Sequence, residues 1–184
     1  AGDGKEPLLV GWTDSRRKTG VLSLQAPGSQ WSQAFSLDGA GTTEVVTVRE
    51  ETGGKYTHNR GCFVFGVSTE VAPSRYRRTK IVTVAPRFLL VNFSGRTLQC
   101  KQVGTPDTAA TTLGPRSTSP FHWHDGGVRE KSLKLSVRFS EYGWEWSGGL
   151  VLEAPAELAL RLRNPISHTV YLLRVDIRSV GASV

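Results

Sequence analysis

The sequence predicts an all-β fold of tandem antiparallel β-sandwich modules, roughly 1.6 repeats in extent, and three observations carry that expectation. Apolar residues alternate with polar ones at period two, as half-buried strands require. Short runs rich in Gly, Pro, Asn and Asp separate those segments, and no long amphipathic helix intervenes. A phrase written as WSQAFSLD at Trp31 to Asp38 returns as WSGGLVLE at Trp146 to Glu153.

Taken in order, the elements read as follows. Asp38-Gly39 and Gly53-Gly54 are turn signals before the apolar strand Cys62 to Thr69. Ile81 to Val84 and Phe88 to Val91 are compact strand runs, with Pro86 between them, and Ser94-Gly95 marks the next turn. Gly114-Pro115 and Asp125-Gly126-Gly127 are further turns. Leu133 to Phe139 alternates strictly and reads as a strand, followed by the turn Gly148-Gly149. Leu158 to Arg163 and Tyr171 to Ile177 alternate in the same way. Many short strands with such turns imply a sandwich or a barrel.

A genuine repeat keeps several landmarks in one order. Trp12 and Trp123 are 111 residues apart, and the Trp-Ser pairs at 31 and 146 are 115 apart. The strands around Phe63 and Tyr171 are 108 apart. The slips fall between strands, where loops absorb insertions cheaply. The expected division is residues 1–79, the later two thirds of one module, and residues 80–184, a complete second module, with the junction in APSRYRRT (Ala72 to Thr79); a parse in which the Trp-Ser phrase opens the module fits the same spacings and shifts the boundary.

Composition limits the functional classes. A chain of 184 residues with 38% hydrophobic and 21% charged residues is ordinary for a folded protein. No apolar run approaches the roughly 20 residues of a membrane-spanning helix. The start on Ala1, without a signal-peptide pattern, suggests a cytosolic chain cut from something longer. Cys62 and Cys100 are too few for a disulfide framework and read as buried thiols. The net charge of +7 admits an anionic membrane or an acidic partner. Its basic clusters are Ser15 to Lys18 and Ser74 to Lys80, which includes Arg75, Arg77, Arg78 and Lys80. One tyrosine, Tyr76, is a poor basis for a nucleic-acid surface, so no nucleic acid is expected.

Catalytic and metal motifs are weak. His122 and His124 share one strand face and could ligate zinc with His58 or Asp125, but surface histidines are the simpler reading. Gly39-Ala40-Gly41 lacks the rest of a dinucleotide fingerprint, and no nucleophile elbow or paired acid and base can be named. The expectation is a non-enzyme with no cofactor and no metal. Trp12, Trp31, Trp123 and Trp146 fall at repeated positions and are expected to be core anchors. Trp144 has Ser29 in its place in the first copy and is the surface candidate. Asn92, beside the Ser94-Gly95 turn, could hold that turn or contact a ligand; Asn164 before Pro165 reads as a turn residue.

Three segments together carry a family resemblance: APRFLLVNFSGRTLQ (Ala85 to Gln99), LGPRSTSPFHWHD (Leu113 to Asp125) and WEWSGGLVLE (Trp144 to Glu153). With WSQAFSLD and Gly41, they resemble the adaptor-binding region of the vacuolar protein sorting-associated protein 13 family of bridge-like lipid-transfer proteins. The resemblance implies an array of β-sandwich repeats, six in the family, each with one invariant asparagine that Asn92 matches here. It implies a non-catalytic module that recruits the carrier to organelle membranes or contact sites by binding short Pro-X-Pro peptides of adaptor proteins. It further implies a cytoplasmic, peripheral location with neighbouring repeats of the same long chain as partners. Alternatives are a spacer repeat in a lipid-transfer rod and a basic module contacting anionic membranes. The candidate binding residues are Asn92, Trp144, Arg75, Arg77, Arg78 and Lys80.

Overall fold

The computed structural model describes residues 10, 20–51, 61–76, 78–124 and 133–184. Trp12, His58, Arg77, Asp125, the Ser15 to Lys18 cluster and the turns at Gly53-Gly54 and Asp125-Gly126-Gly127 therefore lie outside the described residues. The fold is all-β, as expected: the described strands pair antiparallel, and the helical elements among the described residues are two short 3-10 turns. No helix among the described residues is long and apolar enough to cross a membrane.

The chain opens with the short pair β1 (Val21–Leu22) and β2 (Phe35–Ser36). Next come β3 (Thr42–Arg49), β4 (Cys62–Val71) and β5 (Lys80–Pro86), a three-stranded sheet with β4 in the middle. The strand β6 (Phe88–Val91) pairs with β9 (Thr118–Phe121). A four-stranded sheet runs in the order β11 (Leu150–Val151), β10 (Lys134–Phe139), β7 (Leu98–Gln102), β8 (Thr111–Leu113). The long hairpin β12 (Ala156–Asn164) and β13 (Thr169–Ile177) closes the chain.

The alternation in β3 and β4 decides which side faces which core. Val46 lies opposite Phe65, and Val48 opposite Phe63, so these share a sheet face. That face meets Phe35, Leu37 and the partly buried Leu22 and Leu24 in a small core. Cys62 and Val64 point to the other face and join a larger core with Phe88, Trp123, Phe139, Leu160 and Leu162. β4 is thus buried on both sides and forms the seam between the two cores. The backbone of the C-terminal residues closes the same seam: Val184 donates to the Arg87 carbonyl at 2.6 Å, and Leu89 donates to that of Val184 at 2.9 Å.

Both copies of the repeated phrase build the same local geometry. In the first, Ser32 and Leu24 exchange bonds: the Ser32 N–H donates to the Leu24 carbonyl at 2.8 Å, and the Leu24 N–H donates to the Ser32 hydroxyl at 2.9 Å. In the second, Ser147 and Val137 do so at 2.9 and 3.0 Å. Gly28 and Gly143 both adopt positive φ, 73° and 86°, one turn earlier. The Gln30 N–H donates to the Arg49 carbonyl, and the Glu145 N–H to that of Arg163. Leu22 pairs with Phe35 as Leu135 pairs with Leu150.

The tryptophans correct the sequence expectation. Trp123 is a core residue, packed edge-on against Phe88 and Phe121. Trp31 is 66% exposed, because its neighbour Ser32 is the residue directed inward to Leu24 and adjacent side chains take opposite sides. Trp146 is half-buried outside the core, its ring beneath Lys101 and Arg138 and its indole N–H donating to Asp107. Trp144, the surface candidate, is instead a core residue at 8% exposure. It occupies the place of Ser29, which is also buried, so the repeated feature is an inward position that Trp144 fills with an indole.

Candidate functional site

The six residues singled out in the sequence fall into two groups. Asn92 and Trp144 belong to one assembly joined by Arg96. The buried Asn92 amide donates to the carbonyls of Arg96, Leu113 and Gly114 at 2.8, 3.2 and 2.9 Å. Its side-chain oxygen accepts from the Ser94 N–H at 2.9 Å and the Ser94 hydroxyl at 2.7 Å. The side chain thereby fixes the turn after β6 and ties it to the end of β8, with its donors and acceptor engaged inside the fold. The guanidinium of Arg96 lies 3.7 Å from the centre of the Phe139 ring and 4.9 Å from that of Trp144, while its Nε donates to Glu141 at 3.0 Å. Arg96 was not singled out by the sequence; only the ring faces it covers reveal it.

Arg75, Arg78 and Lys80 belong to the second group, at the turn between β4 and β5. Arg75 stacks over Tyr76 at 5.0 Å, and both are exposed, as is Arg78. Lys80 faces the segment after β2, its ammonium donating to the carbonyls of Leu37 and Asp38 at 2.5 and 2.9 Å. Arg77 lies outside the described residues. The turn leads into β5, the outer strand of its sheet. Val82 packs into the small core, whereas Ile81 and Val84 are exposed. β5 therefore presents a main-chain edge flanked by two apolar side chains and two guanidinium groups, suited to an extended peptide with acidic character.

His122 departs from the surface reading. Its ring packs against Phe63 at 5.1 Å and Phe65 at 5.9 Å, and Nδ1 is buried without a hydrogen-bond partner among the described residues. Burial holds its pKa below the usual histidine value. No group of three metal-ligating side chains converges among the described residues.

On the larger-core side of β3 and β4 lies a cavity of about 410 Å³, lined by Thr47, Arg49, Cys62, Arg87, Phe88 and Trp123 among others. The Cys62 thiol there is pushed up by burial, with Arg49 partly opposing, so it stays protonated near neutrality. Cys100 is deeper, and burial raises it to about 12. Both cysteines are free and buried, as the sequence suggested.

Comparison with known proteins gives a consistent result. The family described as vacuolar-sorting associated protein 13, adaptor binding domain, matches residues 2–184. The chain is similar to the intermembrane lipid transfer protein VPS13D of Homo sapiens, 28% identical over 196 residues that cover 96% of this chain and 4% of the relative. It is similar to vps13B of Dictyostelium discoideum, 31% identical over 113 residues, 58% of this chain and 2% of the relative. For vps13D of the same organism the figures are 28% over 117 residues, 62% and 2%. The chain thus spans only a few hundredths of the length of these relatives.

Proposed function

The chain belongs to the vacuolar-sorting associated protein 13 adaptor binding domain family, and from that premise we propose that it is a non-catalytic recruitment module for an adaptor protein's short Pro-X-Pro peptide. Its work is to hold a lipid-transfer protein at an organelle membrane or contact site from the cytoplasmic side, with no cofactor. The outer edge of β5, which pairs only with β4 among the described residues, is the observation that carries the peptide reading, because an extended peptide gains main-chain hydrogen bonds there and its prolines lower the ordering cost. Ile81 and Val84 supply apolar contact, and Arg75, Arg78 and the neighbouring Arg77 in sequence supply preference for acidic flanks. Asn92 and Trp144 act as scaffold, Asn92 in the turn after β6 and Trp144 in the larger core. We also infer a division at residues 1–79 and 80–184, supported by the matched registers of β1–β2 with β10–β11.

The test is a titration of the soluble chain with an acid-flanked Pro-X-Pro peptide and with its double-alanine counterpart. Binding that depends on the prolines, slowed amide exchange at residues 80–85, and weakening by Arg75→Glu with Arg78→Glu are the expected results. Equal affinities, or no binding at about 1 mM, would overturn the reading in favour of a spacer module. An anionic membrane is the weaker alternative, since the Lys80 ammonium is turned toward protein carbonyls.

A further inference from the structure

Four loops between β6 and β13 gather at one end of their strands, and side-chain hydrogen bonds hold them together. The Asn92 amide, at the start of the β6–β7 loop, donates to the Gly114 carbonyl of the β8–β9 loop at 2.9 Å. Arg96, in the same β6–β7 loop, donates to Glu141 of the β10–β11 loop at 3.0 Å. The Asn164 amide, where β12 meets the β12–β13 loop, donates to the Tyr142 carbonyl at 3.1 Å. From three of these loops a large apolar side chain stands out into solvent: Phe93 is 87% exposed, Tyr142 89% and Ile166 61%. Arg116 and His168, each with φ of 52°, are the non-glycine residues with positive φ among the described residues, and both lie on these loops. Backbone in that region persists where its surroundings enforce it, and it collects at binding sites.

We propose that this loop end enters the interface of an anionic lipid membrane, with Phe93, Tyr142 and Ile166 as the inserted side chains. They stand singly on separate turns, and an aromatic or aliphatic tip flanked by polar and cationic groups is what the headgroup boundary accepts. The main chain beneath them is already satisfied from within. Asn92 Oδ1 accepts from the Ser94 N–H at 2.9 Å, and Asn164 Oδ1 accepts from the N–H groups of Ile166 and Ser167 at 3.0 and 3.1 Å. The Arg96, Gly114 and Tyr142 carbonyls each receive an asparagine amide. Backbone engaged in this way loses little on leaving water, whereas a partner strand would need it free. Charge selects anionic lipid. Glu141 is neutralised by Arg96, while Arg116 has no carboxylate within ion-pair distance among the described residues. The loop end thus offers headgroup phosphates and carboxylates a guanidinium beside its apolar tips.

The loop end shares no residue with the β5 edge or with the basic turn before it, so this contact and the peptide reading can fail separately. The test is flotation of the chain with vesicles of phosphatidylcholine alone and of phosphatidylcholine containing phosphatidylserine. At about 1 mM accessible lipid a partition constant of about 10⁴ M⁻¹ is readily detected. The expected result is binding that favours the vesicles with phosphatidylserine and weakens in Arg116→Glu. Phe93→Ser with Tyr142→Ser leaves the net charge as it was and should lower binding at least about tenfold, since transfer of even one such ring is worth about that much. Its melting temperature should match the original chain's, because both rings lie in solvent. If it does not, Phe93→Ser and Ile166→Ser are measured singly, and loss of binding in neither overturns the proposal. No binding to either vesicle, or equal binding to both, also overturns it. So does binding that the folded double variant retains in full and that falls with Arg75→Glu and Arg78→Glu, which would assign the membrane contact to the basic turn.

Discussion

A β-carbon on Gly66 would lie 1.8 Å from the carbonyl oxygen of Ala182, so the middle strand of the first sheet and the C-terminal residues meet backbone to backbone. That approach brings Ser183 to the Pro86 carbonyl and Val184 to Arg87. Gly66→Ala is expected to displace residues 180–184 and to cost at least about 1–3 kcal/mol, the usual range for overpacking, since backbone cannot rotate aside. Melting temperature and amide protection of Leu89 check this together. A stable variant in which Leu89 stays protected would show that the tail accommodates a methyl group.

Asn92→Ala removes the donors to three carbonyls and the acceptor of the Ser94 turn. Unsatisfied buried polar groups cost about 1–3 kcal/mol each. The expected outcome is a large fall in melting temperature, with peptide affinity per folded molecule nearly unchanged. Unchanged melting with lost binding would make Asn92 a contact residue.

The all-β character was legible because period-two alternation is local, and the recurring Trp-Ser phrase marked two places whose strand contacts match. What the alternation could not say was which face met which core, since β4 is apolar on both faces and buried on both. The tryptophans misled for a related reason. The repeated constraint around Trp31 and Trp146 belongs to the adjacent serines, whose hydroxyls close the strand contact. The indoles are free to differ. The basic run was legible as charge, but Lys80's inward carbonyl contacts arise from residues more than forty positions away.

Arg96 is expected to hold the Phe139 and Trp144 rings through its guanidinium plane more than through Glu141. Both partners of the Arg96–Glu141 pair are partly exposed, which limits its worth. Arg96→Lys keeps the charge and loses the planar stack, and a loss of about 1 kcal/mol follows from cation–π energetics. Glu141→Gln should cost less than Arg96→Lys. The reverse order by chemical denaturation would assign the stabilisation to the ion pair.

Half-buried against Phe63 and Phe65, His122 is held neutral in the folded chain over part of the pH range in which the unfolded chain is protonated. Its folded pKa lies below the ordinary 6.5, so the unfolded state takes up the proton first as pH falls. Stability is therefore full above 6.5, declines as pH drops from there to the depressed folded value, and levels off below it. Asp107, Glu141 and Asp176 are held below their usual range by Lys101, Arg96 and Arg178, so their contributions are lost only at more acidic pH. The interval from about pH 6.5 to 5 lies above those carboxylate contributions, and a difference there between the original chain and a His122 variant belongs to His122. His122→Phe keeps the aromatic packing and should flatten the melting temperature across that interval, where the original chain drops by about 2–4 °C for each kcal/mol lost. An original chain whose melting temperature is level from pH 7.5 to 5 would mean that the ring accepts a proton in the folded state as readily as in the unfolded one.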